Sequence, residues 1–168
     1  MGQTGKGGYP PPMLWRRHIE PFTRPLVYAW FRWKRGLTLG VRGLVTDGEG
    51  RVLLVQHTYI PGWYMPGGGV ERGETAELAL ERELQEEAGV RVLARPVLQS
   101  VHSNETHHPR DHVLVYRVTA WEPCQASAQG EIHAVGWFAP DALPDTISPA
   151  TRRRISEALD GIDSDVMW

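Results

Sequence analysis

From Leu37 onward the chain breaks into short apolar runs separated by polar, glycine- and proline-rich stretches. TLGVRGLV (38–45) and RVLLVQH (51–57) are apolar runs of strand length on either side of Asp47-Gly48-Glu49-Gly50, which predicts a hairpin. A loop rich in proline, glycine and aromatics follows, YIPGWYMPGGG (59–69). Thr75 to Ala88 has helical spacing, with Thr75 as N-cap, Glu77 in the favourable first turn and Gly89 as the stop. Val90–His102 and His112–Trp121 predict two more strands across the polar loop SNETHHPRD, and Ile132–Phe138 predicts another. Ser148-Pro149 opens a last helix that runs to about Leu159, with Gly161 beyond it. Strands on both sides of one helix, with a second helix at the end, predict an α+β fold or an α/β sandwich without regular βαβ repetition.

Upstream of this region the pattern differs. Residues 2–12 are rich in glycine and proline and are expected to be mobile. PLVYAWFRWKR (25–35) predicts a short helix, with Pro25 suited to its first turn and Lys34 and Arg35 to its last. Residues 1–36 hold seven Lys/Arg against Glu20, a net of +6, so the remainder carries −8 of a total of −2. The chain therefore divides into a basic, aromatic extension (1–36) and a domain (37–168). The extension is expected to pack on the core or on a second subunit, as in a homodimer, in preference to lying on an anionic membrane surface or contacting RNA. Arg152-Arg153-Arg154 in the last helix is expected to be a solvated face.

Composition narrows the class. A hydrophobic fraction of 41% with 23% charged residues suits a globular protein and neither a disordered nor a membrane chain. No apolar run approaches the roughly 20 residues of a membrane-spanning helix, and the start has no secretory-signal pattern. Cys124 stands alone, which excludes an internal disulfide and a cysteine-based zinc site and fits a cytoplasmic location.

The negative charge is local: residues 68–90 contain seven Glu against Arg72 and Arg82. At 100° per residue Glu83, Glu86 and Glu87 share about a third of the helix circumference, beside the apolar stripe Leu80, Leu84 and Ala88. Like charges at these spacings each destabilise a helix by a few tenths of a kcal/mol, so something positive has to compensate. Arg82 is one cation for three carboxylates and projects outside their arc. Hard divalent cations prefer oxygen ligands, and Mg²⁺ characteristically combines one or two carboxylates with water and substrate phosphates. Gly67-Gly68-Gly69, just upstream, lets backbone approach a ligand closely.

The same stretch, GGVERGETAELALERELQEEAGV (68–90), resembles the Nudix box. That pattern is Gly, five residues, Glu, seven residues, then Arg-Glu-apolar-any-Glu-Glu-any-Gly-apolar. Gly68, Glu74, Arg82, Glu83, Leu84, Glu86, Glu87, Gly89 and Val90 fill every fixed position. GWYMPGG (62–68) and Trp137-Phe138 extend the likeness over roughly residues 37–160. The resemblance implies a Nudix hydrolase with an α/β/α sandwich and a mixed β-sheet. It also implies an Mg²⁺-dependent enzyme (Mn²⁺ as substitute) that cleaves a pyrophosphate bond. Carried over by position, Glu83, Glu86 and Glu87 would bind metal together with the Gly68 carbonyl. Arg82 would orient Glu83, and Glu74 would support the loop–helix geometry. The general base is left among Glu83, Glu86, Glu87 and a loop carboxylate.

Other candidates are weighed individually. Glu131, six residues before Trp137, is either a metal- or water-assisting carboxylate or an exposed strand-entry residue. Glu105 and the histidines of SNETHHPRDH could meet substrate from a loop. Tyr59 and Tyr64 could stack on a nucleobase, whereas Trp63 is expected to anchor its loop. Arg42 and Arg51 could meet phosphate or form surface salt bridges, and His57 is expected to be structural. The expected substrate is a small nucleotide, a nucleoside diphosphate linked to another moiety such as an ADP-ribose-like or nucleotide-sugar compound. Nucleoside triphosphate or RNA 5′-end hydrolysis is the alternative, and a non-catalytic nucleotide-sensing or RNA-binding module is the rival from another class. Such modules often lose box carboxylates, and this chain keeps them all.

Overall fold

A computed structural model describes residues 36–127 and 130–168. The mobile stretch expected at 2–12 and the helix expected at 25–35 lie outside the described residues, as do the expected contacts of the extension. The elements run β1 (Thr38–Val45), β2 (Val52–His57), α1 (Ala76–Ala88), β3 (Val90–Val92), β4 (Val97–Ser103), β5 (Asp111–Val118), β6 (Trp121–Pro123), β7 (Ile132–Phe138) and α2 (Pro149–Asp160).

The central sheet is mixed, in the order β1-β5-β4, with β1 parallel and β4 antiparallel to β5. β2 pairs antiparallel with β7, and β3 with β6. The expected hairpin is corrected here. The Asp47 turn forms, with the Asp47 carboxylate accepting from the Glu49 and Arg51 amides, yet the strands meet only at the Thr46–Val52 bridge. β1 instead pairs with β5 along its whole length, Thr38 to Val45, and β2 pairs with β7 from Val52 to His57. The predicted strand 90–102 also divides. Pro96 lacks the N–H that a continuous ladder needs, so β3 and β4 take different partners. The strand expected at 112–121 likewise breaks after Val118, and Trp121 joins β6.

Strand alternation builds two cores on opposite faces. Val41, Val45, Leu53, Tyr116 and Val118 pack with Ala79, Leu80 and Leu84 of α1. Leu44, Val52, Leu54 and Val115 point the other way and pack with Met65, Ile147 and Ile155 of α2. The result is the α/β/α sandwich. Gly43 lets α1 lie close, since a Cβ there would come within 2.9 Å of Leu84 Cδ2. Both helices end as their residues predict: Thr75 Oγ1 accepts from the Leu78 amide, Ser148 Oγ from the Thr151 amide, and Gly89 and Gly161 close the helices in the left-handed region.

Of the solvated face expected of Arg152–Arg154, Arg152 and Arg153 are exposed and Arg154 is not. It is 1% exposed, and its guanidinium donates to the Met167 carbonyl (2.8 Å) and to Glu157 (2.7 Å). A fully buried guanidinium is tolerated only with such partners.

Candidate active site

The glycine loop forms one wall. It runs along the outer edge of β1, where Val41 N donates to Gly68 O (2.8 Å), Gly43 N to Pro66 O (2.9 Å) and Val70 N to Leu39 O (2.8 Å). Gly67 has φ +137°, and a Cβ there would lie 2.1 Å from the Val41 carbonyl oxygen. At Gly68 a Cβ would lie 2.4 Å from Glu83 Oε1. Only bare backbone fits between β1 and the acidic helix.

Arg82 joins the two walls. Its Nε and Nη2 donate to both oxygens of Glu74 (3.0 and 3.2 Å), Nη1 to Glu83 Oε1 (2.7 Å) and Glu86 Oε2 (3.4 Å), and Nη2 to Gly69 O (3.1 Å). The helical-wheel expectation that Arg82 points away from the carboxylates is therefore corrected: its long side chain turns back across the helix. The hydrogen bonds to Glu74, followed by those to Glu83, push the guanidinium pKa up, and Arg82 in turn holds the Glu74 carboxyl below its ordinary value.

The three box glutamates occupy different environments. Glu86 is 41% exposed at its side chain and Glu83 only 14%. Glu87 is buried; its Oε2 accepts from Gly67 N (2.8 Å), and its Oε1 lies 3.7 Å from His57 Nδ1, too far for a hydrogen bond. Burial raises the Glu87 pKa to about 7, against the lowering effects of the Gly67 amide and Arg42; Glu83 and Glu131 raise it further. His57 Nδ1 is buried without a hydrogen-bond partner, and burial lowers the imidazole pKa, which favours the neutral ring. His57, expected to be structural, thus faces a box carboxylate.

Two hollows open beside this cluster and meet at Ile60. The first, about 370 Å³, is bordered by Arg42, Tyr64, Gly68, His107, His108 and Trp168. The second, about 440 Å³, is bordered by His57, Tyr59 and His133. Tyr64 thus lines the first and Tyr59 the second. Arg42 borders the first, but its Nη1 is committed to the Met65 carbonyl (3.2 Å) and the Gly67 carbonyl. Glu105 turns into its own loop, accepting from the Arg110 amide (2.7 Å), while the neighbouring His107 and His108 reach the hollow. Glu131 is exposed; its carbonyl accepts from Thr58 N (2.9 Å). Arg51 forms the surface salt bridge, 2.7 Å from Asp47. Trp63 anchors the loop edge-on against Phe138, with centroids 4.9 Å apart. Trp168 was not foreseen. Its one signal is the apolar Val-Met-Trp run after the polar residues 163–165.

The donor set suits a hard divalent cation: three carboxylates within one helical turn, the Gly68 carbonyl, and a buried Glu87 that lacks a full counter-charge. The Gly68 oxygen accepts one hydrogen bond, from Val41, and a carbonyl has a second lone pair. Among the described residues no three acidic, histidine or cysteine side chains already converge on one point. Glu86 is held by Arg82 at 3.4 Å.

The sequence model of the NUDIX domain matches residues 36–159. A "MutT-like protein" of Streptomyces ambofaciens is 33% identical over 125 residues, covering 74% of this chain and 78% of that protein. A protein of Bacillus subtilis (strain 168), provisionally named an 8-oxo-dGTP diphosphatase, is 30% identical over 125 residues, covering 74% of this chain and 81% of its own. Among solved structures, the MutT NUDIX hydrolase from Burkholderia pseudomallei superposes with a TM-score of 0.62 at 30% identity, covering 73% of this chain and 97% of that one.

Proposed function

This chain belongs to the NUDIX family of pyrophosphohydrolases, and from that premise we propose that its substrate is a nucleoside diphosphate joined to another moiety, split into a nucleoside monophosphate and a phosphorylated remainder. The observation that carries this is the pair of hollows that share Ile60, one bordered by Gly68, which abuts Glu83, and the other by His57, which lies 3.7 Å from Glu87. A substrate with a bulky group at each end of a pyrophosphate suits two such recesses. Pyrophosphate itself is anionic and is repelled by the helix unless a cation lies between them.

Glu83, Glu86 and Glu87, with the Gly68 carbonyl, would hold Mg²⁺, or Mn²⁺ in its place. When bound, such a cation neutralises phosphate charge and lowers the pKa of water. The protein's own contribution is geometric. Arg82 fixes Glu83 at 2.7 Å and ties the loop to the helix through Glu74 and Gly69. The bare Gly67-Gly68 backbone lets phosphate approach without steric conflict. The general base, drawn from Glu83, Glu86, Glu87 and Glu131, takes the proton of the attacking water.

A second possibility, a nucleoside triphosphate substrate, is favoured by the name of the Bacillus subtilis relative. A panel of ADP-ribose, nucleotide sugars, the common triphosphates and 8-oxo-dGTP, assayed with Mg²⁺ or Mn²⁺ and resolved by chromatography, separates the two. Release of a nucleoside monophosphate from ADP-ribose or a nucleotide sugar is the expected result. Turnover confined to triphosphates overturns the substrate proposal. On the best substrate Glu86→Gln lowers kcat by at least about 10²-fold with the melting temperature unchanged, because Glu86 is half exposed and structurally little engaged. An active variant removes Glu86 from the mechanism.

A further inference from the structure

A buried arginine needs a reason, and Arg154 has one: it secures the segment Asp165–Trp168. Its Nη1 donates to the Met167 carbonyl at 2.8 Å, and its partner Glu157 accepts from Asp165 N at 3.3 Å. His102, fully buried, reaches the Asp165 carbonyl at 2.7 Å. The backbone of the segment is bonded as well: Ser103 N donates to Val166 O (2.8 Å), Trp168 N to Ser103 O (2.9 Å) and Arg153 Nη2 to Trp168 O (2.9 Å). This strap lies beside the end of β4 and delivers a single large side chain. Trp168 packs partly on the α2-side core and turns part of its surface to the 370 Å³ hollow, alongside Tyr64, His107 and His108. Gly68, which abuts Glu83 of the acidic helix, borders the same hollow.

An indole bordering a cavity, with its backbone N–H and carbonyl both hydrogen-bonded, is a positioned π surface, and every nucleobase offers a face to stack on it. Asn104 and Asp111 border the same hollow. Asn104 donates to Asp111 Oδ2 at 2.8 Å and Thr38 to Asp111 Oδ1 at 2.7 Å, a preset polar edge suited to a ring with its own hydrogen-bonding groups. We propose that Trp168 is a base-binding residue of this site, the surface on which the base of the nucleotide stacks, held in place by the Arg154 strap. The proposal rests on the substrate being a nucleotide.

Calorimetric binding to the full-length protein tests it without requiring turnover. The ligands are adenosine and uridine monophosphate, with ribose 5-phosphate as the base-free control. Trp168→Ala is expected to weaken both monophosphates about tenfold and to leave ribose 5-phosphate within about twofold, while Trp168→Phe restores most of the affinity. On a turned-over nucleotide the same loss falls on KM more than on kcat. Wild-type affinity of Trp168→Ala for the monophosphates overturns the assignment. An equal loss for ribose 5-phosphate overturns it too, since the tryptophan would then shape the site without meeting the base. A wild type that turns over no nucleotide defeats the functional proposal alone, and the binding comparison still decides Trp168.

Discussion

Glu87 has two demands on it: it is packed away from water, and its chemistry calls for a charge. Its folded pKa of about 7 lies above the 4.5 of an unperturbed glutamate, so between those values the folded protein binds more protons than the unfolded chain. This contribution to stability is greatest below about pH 4.5 and declines as the pH rises to 7. His57 and His102, with lowered pKa values, act in the opposite direction in part of that window, so the effect is isolated by comparison with Glu87→Gln. In EDTA the variant is expected to gain on the wild type as the pH rises from 5 to 8, by up to about 3 kcal/mol in urea unfolding. A difference independent of pH contradicts the buried, uncompensated carboxylate. The box spacing made all three glutamates legible as a set. Their separate environments were not, because the Gly67 amide and the His57 ring come from residues 20 and 30 positions away, and only the folded loop brings them to Glu87. Arg82 was misjudged for a related reason: a wheel projection fixes where a Cβ points, not where a flexible guanidinium ends.

At the level of elements, local signals were the reliable ones. Both helix starts and both glycine stops stand in the sequence, since caps are made by residues within one turn. Strand partnership was not legible. The Asp47 turn forms as its residues demand, yet β1 and β2 leave it for β5 and β7, a choice made by pairings 73 to 86 residues apart. The contact between α1 and β1 depends on one missing side chain. Gly43→Val is expected to force Leu84, and with it the helix, off the sheet, at a cost of about 1–3 kcal/mol in chemical denaturation. An unchanged midpoint would mean that the layers slide without resistance. Since α1 carries the box glutamates, the same substitution is expected to impair activity.

For the molecule as a whole, the order of strands and helices, together with the resemblance to the Nudix box, predicted the sandwich, and the structure supplies both helical layers. Arg154 and Trp168 were out of reach because the strap they build joins the last helix to β4 through contacts with no local pattern. If the carboxylates take a divalent cation, the folded state alone has them assembled, and saturation stabilises the fold. Mg²⁺ or Mn²⁺ at a hundredfold excess over Kd contributes about 2.7 kcal/mol, a rise of roughly 5–10 °C in Tm that EDTA reverses. No rise with either ion would remove the cluster from cation binding. One feature of the sheet has a bearing far from the active site. β4 is the outermost strand of its sheet, and Val97, Leu98 and Val101 on it are 64%, 49% and 49% exposed. An apolar border of that kind is a seam for sideways growth. At high concentration folded molecules are therefore expected to associate along β4, and Val97→Lys to raise the concentration at which a sample turns cloudy with the melting temperature unchanged.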